Sequence, residues 1–337
     1  MSMTPKENAL AVLHHEKGEW VPIYLHDFLT AGFGPGAGPS FEKGSPTGGM
    51  DGFGVEWVMT SSGSSGLIPA PGKTIMDAET IQDWKKIVKF PDIAKFDWDA
   101  QASLELGVGD REHQVVEFGS GNGPFERLTA MMGFQEALLA MVLEPEATYE
   151  FMDAVAEWKF GVIEEVAKHY HPDLFTNYDD IATERGLFMS PDTYRKMIKP
   201  VDRKIYECAK SYGMIPVQHT CGLAEELVDD FIEIGVEAWT SVQPTNDIVG
   251  ILKDHGDKLT VIGGYDTNGV APEPDKALEP LIEEVHRCLD TYGDCGSYVF
   301  SGFFLMDTLD FGEIMKILGP MTDEASRYAH ELAAASA

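Results

Sequence analysis

Eight short runs of apolar and β-branched residues punctuate this chain, at positions 21–25, 55–60, 114–118, 173–177, 214–218, 238–242, 259–263 and 297–301. Longer amphipathic segments lie between many of them, notably 146–170, 191–211, 224–234 and 275–289. A strand buried on both faces reads as a short apolar run, and a crossover helix returns the chain to start the next one in parallel. The helix starts are marked as well: Ser190-Pro191 reads as an N-cap followed by the first helical residue, and Pro272 and Pro274 precede the last segment. Eight such units predict an α/β fold of the (β/α)8 TIM-barrel type, with the first three units the least regular. With 337 residues, 44% of them hydrophobic, one large barrel spanning residues 1–337 accommodates the chain.

A barrel of this kind builds its active site from the C-terminal ends of the strands and the loops beyond them. The predicted ends carry His26-Asp27, Glu117, Tyr178-Asp179-Asp180, His219 with Cys221, Gln243 and Asp266, which points to a shared polar cavity. The most informative of these is His219-Thr220-Cys221-Gly222. An imidazole and a thiol two positions apart, just past a strand, can reach one ion, and zinc accepts both ligand types. Glycine-rich loops at 31–40 and 119–124, with a Ser/Gly tract at 61–66, can approach a ligand closely. None has the spacing of a nucleotide-binding loop.

Charge and composition exclude other classes. A formal net charge of −31 argues against nucleic acid and anionic membranes as partners, leaving solubility or a basic protein partner as its reason. No run approaches the roughly 18 consecutive apolar residues of a membrane span. The N-terminal Met-Ser-Met-Thr-Pro-Lys-Glu lacks the pattern of a secretion signal, so a cytoplasmic location is expected. Cys208, Cys221, Cys288 and Cys295 do not form a disulfide framework; free thiols or metal ligands suit them better.

Five segments together resemble the uroporphyrinogen decarboxylase superfamily, specifically its corrinoid-dependent methyltransferase-like branch. They are Asp51-Gly-Phe-Gly-Val-Glu-Trp57, the stretch from Tyr178-Asp-Asp to Ser190-Pro191, His219-Thr-Cys-Gly222, Val242-Gln-Pro244 and Gly263-Gly-Tyr-Asp-Thr267. The resemblance runs from about residue 5 to residue 320 and implies a (β/α)8 barrel. Its decarboxylase members use arginines near the first strand to bind a polycarboxylate tetrapyrrole. This chain has Tyr24-Leu-His-Asp-Phe28 there and no arginine before Arg111. Its methyltransferase members carry a His-x-Cys motif and a distant second Cys, and use zinc; His219 and Cys221 match the first part.

Cys295 follows Cys221 by 74 positions but precedes the last predicted strand, at the opposite end of the barrel. A five-residue strand spans roughly 16 Å, against a zinc–sulfur bond of about 2.3 Å. Cys208 and Cys288 fall within helical patterns. Asp180 is therefore the leading third ligand, with Glu117 and Asp266 behind it. Asp180, Glu117 and His26 are the candidate catalytic groups, and Trp57, Tyr178, Asp179, Gln243, Asp266 and Phe303 the candidate substrate contacts. Glu184-Arg185 reads as a structural ion pair.

The reading that follows is a zinc-assisted methyltransferase. It would move a methyl group between a small O-, N- or S-methyl compound, an aryl methyl ether foremost, and the cobalt of a separate corrinoid-binding protein. The missing second thiolate favours this demethylating direction over thiol methylation. A metal-free decarboxylase or lyase on the same barrel is the enzyme alternative; a non-catalytic binding subunit is the other. A homo-oligomer stays open.

Overall fold

The computed structural model describes residues 3–32, 48–59, 67–270, 278–302 and 311–336. In chain order the strands are β1 (Phe28–Ala31), β2 (Gly49–Met50), β3 (Glu56–Met59), β4 (Leu67–Pro69), β5 (Val115–Ser120), β6 (Leu174–Tyr178), β7 (Ala182–Thr183), β8 (Gly186–Leu187), β9 (Ile215–His219), β10 (Ala238–Val242), β11 (Thr260–Gly264) and β12 (Tyr298–Ser301). Seven of them form one parallel sheet in the order β1-β5-β6-β9-β10-β11-β12, following the order of the chain. The sheet curls: Ile23, just ahead of β1, makes a parallel bridge to Phe300 of β12, whose amide donates to the Pro22 carbonyl at 2.9 Å.

Two expected strands differ. Residues 21–25 do not form a first strand, because a one-turn helix, Tyr24–Asp27, interrupts them and β1 begins only at Phe28. The Asp27 carboxylate accepts the Ile23 amide at 2.7 Å, a local bond that competes with a ladder. The run at 55–60 does form β3, but it pairs antiparallel with β2 and β4 in a separate small sheet. Among the described residues the parallel sheet thus has seven strands rather than eight, a curled half-barrel consistent with a TIM-like barrel but not closed.

The helices follow their signals more closely. Pro145–His169 opens on its proline, and Ser190 caps Pro191–Met197 by accepting the Thr193 amide at 3.2 Å. The segment expected as one helix over 191–211 breaks at Ile198, and Pro200 lies in the first turn of the second piece, Lys199–Ser211. Pro200 has no amide to continue the first helix. Among the described residues no helix is long and apolar enough to cross a membrane.

Two apolar clusters stabilise this arrangement. The larger lies between the sheet and its surrounding helices. The smaller lines the inner face of the sheet toward the strands' N-terminal ends, with Phe28, Val115, Leu174, Ile215, Val217, Ala238, Ile262 and Val299. Ala9, Val12 and Leu13 of the N-terminal helix Pro5–Leu13 join it, and the Thr260 hydroxyl donates to the Val12 carbonyl at 3.0 Å. That helix fills one end with apolar side chains. Polar chemistry is left to the other.

Candidate metal centre

β6 and β9 run side by side, and their register sets Tyr178 opposite His219 at the C-terminal edge. The two rings stack with centroids 4.0 Å apart and planes 22° from parallel. Two residues beyond the end of each strand the chain places Asp180 and Cys221. An Asp180 carboxylate oxygen accepts the Cys221 amide at 2.7 Å, and the Cys221 sulfur lies 3.8 Å from His219 Nε2. Ligand atoms of Asp180, His219 and Cys221 all fall within 4.8 Å of one another. Tetrahedral zinc, with bonds of about 2.3 Å to sulfur and about 2.0 Å to nitrogen, would set those two donors about 3.6 Å apart. The donor set and its spacing fit that ion.

The loop after β9 is shaped for this. Gly222 has φ +85°, and a Cβ there would lie 2.5 Å from the Thr183 carbonyl oxygen of β7, so glycine alone allows the turn directly after Cys221. The Leu223 amide then donates to that same carbonyl at 2.8 Å. Gln243, an expected substrate contact, accepts the Gly222 amide at 3.2 Å through its side-chain oxygen and holds this loop in place. Burial first, and then the neighbouring Asp180 charge, push the Cys221 thiol up to about 12, against a lowering hydrogen bond from Ser241. A cation that takes the sulfur as thiolate must therefore displace its proton.

Deeper in the sheet interior sits Glu117, buried and ringed by hydroxyls. Tyr24 donates to one carboxylate oxygen, Thr176 to the other, and Thr30 approaches at 3.4 Å. Burial raises its pKa, and the hydrogen bonds from Thr176, Tyr24 and Thr30 oppose the shift. The Tyr24 hydroxyl also bonds Tyr178, so a line of polar groups runs from Glu117 to the ring stacked on His219. Glu117 is thus adjacent to the centre, outside the ligand cluster.

Other expected site residues lie elsewhere or are engaged in structure. His26 precedes β1 instead of following a strand; its carbonyl accepts the Gln114 side chain at 2.9 Å, just ahead of β5, which puts it at the opposite end of the sheet from Cys221. Its Nδ1 pairs with Asp27 at 2.7 Å. Trp57 is buried, its indole donating to Asp51 at 3.0 Å. Asp179 is fully buried and caps the helix Pro124–Met132, accepting the Phe125 and Glu126 amides at 3.2 and 2.7 Å. Asp266 accepts the Gly269 amide at 2.8 Å and closes a turn after β11. Phe303 lies outside the described residues, as do positions 33–47, which hold most of the first glycine-rich loop, and 61–66. Glu184 and Arg185 are exposed at the tip of the β7–β8 hairpin. Cys295 precedes β12, away from the cluster, its thiol turned to the Thr291 carbonyl.

Tyr24 and Ser241 escaped sequence reasoning. Tyr24 fell inside an expected strand, and a lone serine inside a strand carries no signal.

Behind β6 lies a buried ionic group: Asp179, Asp202 of Lys199–Ser211 and Lys159 of Pro145–His169, whose ammonium donates to the Ser120 hydroxyl at 2.6 Å and the Gly121 carbonyl at 3.1 Å. Burial pushes Asp202 up to about 8, with Lys159 opposing. The folded state then holds a proton that the unfolded chain releases near the ordinary aspartate value of about 3.9. This contribution to stability is whole below that value and is lost as the pH rises toward 8. Asp202→Asn, which keeps a neutral side chain throughout, should gain stability relative to the wild type between pH 5 and 8.5. Urea unfolding at the two pH values measures it; an equal difference at both would contradict the assignment.

The fold and the site together define an α/β protein with a curled parallel sheet whose C-terminal edge gathers one imidazole, one thiol and one carboxylate. The family described as Uroporphyrinogen decarboxylase (URO-D) matches residues 49–302, and the chain belongs to that family. Among solved structures, a methyltransferase from Methanosarcina mazei superposes with a TM-score of 0.65 at 16% identity, covering 96% of this chain and 99% of that one. Weaker likenesses include a D-psicose 3-epimerase studied with D-fructose (TM-score 0.36, 11% identity, 75% of this chain and 87% of that one). A sugar phosphate isomerase/epimerase from Parabacteroides distasonis gives a TM-score of 0.35 at 10% identity, over 81% of this chain and 98% of that one. No curated protein matches the chain.

Proposed function

We propose that this protein is a corrinoid-dependent methyltransferase of the demethylating kind, with zinc held by Asp180, His219 and Cys221. The observation that carries the reading is the convergence of those three donors at the sheet edge where a barrel enzyme does its chemistry. The likeness to a methyltransferase from Methanosarcina mazei supports it. Binding of a polycarboxylate tetrapyrrole has less support: no arginine precedes Arg111, whose side chain donates to the Tyr170 carbonyl, and Arg127 is locked to Asp51.

The favoured substrate is an aryl methyl ether, with other small O-, N- or S-methyl compounds in the same class. Its methyl group passes to the Co(I) of a corrinoid carried by a partner protein, giving methyl-Co(III), while the ether oxygen gains a proton and leaves as the phenol. When bound, zinc supplies Lewis acidity at the heteroatom that carries the methyl group. His219, Cys221 and Asp180 would hold it, one donor from each. Tyr178 fixes the plane of the His219 ring by stacking. Burial raises the Glu117 pKa, and its carboxyl, which accepts from Tyr24 and connects through it to Tyr178, is placed to hold the proton that the ether oxygen gains. A reducing cytoplasm would keep all four thiols, which are unpaired by disulfides, in the reduced form.

The direct test mixes the zinc-loaded enzyme and reduced corrinoid protein with methyl donors and follows the Co(I) absorbance. Aryl methyl ethers should consume Co(I) and release one phenol per methyl group transferred. No methyl transfer from any O-, N- or S-methyl donor would contradict the proposal.

A further inference from the structure

β10 does not pair evenly with β11. Thr240 lies opposite Ile262 and Val242 opposite Gly263, so Ser241 is an extra residue between two ladder positions. Its backbone sits at φ +67°, a conformation that residues with a Cβ rarely adopt. The partner strand is cut to match: Gly263 has φ +148°, and a Cβ there would lie 2.4 Å from the Val242 carbonyl oxygen. Bulges of this kind re-aim one side chain. Here the re-aimed group is the Ser241 hydroxyl, 3.1 Å from the Cys221 sulfur.

Strain in the backbone of a non-glycine residue persists where the surroundings over-determine it, and such positions cluster at functional sites. An ordinary strand residue at 241 would follow the alternation of β10, with no extra residue between the ladder positions to redirect it. The bulge therefore has a specific consequence for the sulfur. A thiolate that binds a metal keeps lone pairs free, and a hydroxyl donor aimed at one of them fixes the sulfur's direction and withdraws part of its charge.

We infer that Ser241 is a positioning residue for the metal centre: the β10 bulge exists to hold its hydroxyl on the Cys221 thiolate. This rests on the reading of Asp180, His219 and Cys221 as metal ligands. On this inference Ser241 acts through Cys221 and is not itself a metal ligand.

Two substitutions separate the hydroxyl from the strain. Ser241→Ala removes the donor and keeps a Cβ at φ +67°; Ser241→Gly removes the donor and relieves the backbone. Zinc dissociation constants are measured by competition with a chromophoric chelator, and Co(II) is loaded as a spectroscopic reporter of the sulfur-to-metal charge-transfer band. Both variants should bind zinc about tenfold more weakly or worse and shift that band, while the melting temperature rises for Gly and not for Ala. Affinity within twofold of the wild type in both, with an unmoved band, would overturn the inference. So would a loss in Ala that Gly restores, because that result assigns the effect to strain. A wild type that binds no zinc refutes the metal reading itself, and with it this inference; wild-type binding with indifferent variants refutes the inference alone.

Discussion

His219→Ala combined with Cys221→Ser should empty the centre and stop methyl transfer, with zinc falling from about one ion per chain to a trace and the rate falling by about 10³-fold or more. The expectation follows from donor chemistry. Removing imidazole and thiolate leaves Asp180 alone of the three, with one oxygen already on the Cys221 amide. The fold should survive, because these side chains lie at the mouth of the sheet, while the apolar cluster around Val115, Leu174 and Ile215 is untouched. Circular dichroism and a melting curve close to the wild type's would assign the loss to the site. Variants that keep both zinc and turnover would show that the pair is not a metal anchor.

Arg127→Ala should be the most destabilising single change, at about 3–5 kcal/mol, with little direct effect on zinc affinity. Arg127 and Asp51 pair at 2.6 Å with side chains 1% and 0% exposed. Asp51 also organises its neighbourhood: one oxygen accepts the Phe53 and Val55 amides, and the other the Trp57 indole. The guanidinium lies 4.1 Å above the Phe53 ring. Removing it leaves a buried carboxylate without its counter-charge, which costs far more than the pair itself contributes. The double variant Asp51→Asn/Arg127→Met, which removes both charges, should recover a large part of the loss. Urea unfolding measures both, and an alanine variant within about 1 kcal/mol of the wild type would contradict the account.

This pair also explains what could be read from the sequence and what could not. The Asp51-to-Trp57 segment was visible as a motif, and a substrate role was the natural guess for its tryptophan. Its partner is an arginine 76 positions away, and no local pattern reveals such a contact. The six parallel strands from β5 to β12 were legible within one or two residues, because each is buried on both faces and reads as a short apolar run. The first strand was not. Its apolar residues are shared with a one-turn helix fixed by the Asp27 side chain, and the resulting shift moved His26 to the wrong end of the sheet.

The same contrast holds at the site. His219, Cys221 and Asp180 could be placed together because parallel strands put consecutive C-terminal ends on one edge. Asp179, one residue from Asp180, points the other way to cap a helix, and strand-end position alone could not separate the two. Ser241 depends on a bulge that periodicity does not signal.

The central claim is that the chemistry depends on a metal held by this cluster. It is tested most directly by metal analysis of the full chain purified without chelators, with methyl transfer to the corrinoid protein followed before stripping, after stripping and after zinc is restored. The account predicts about one zinc per chain, loss of activity on stripping and its return with zinc. Undiminished methyl transfer by protein shown to contain no metal would contradict it.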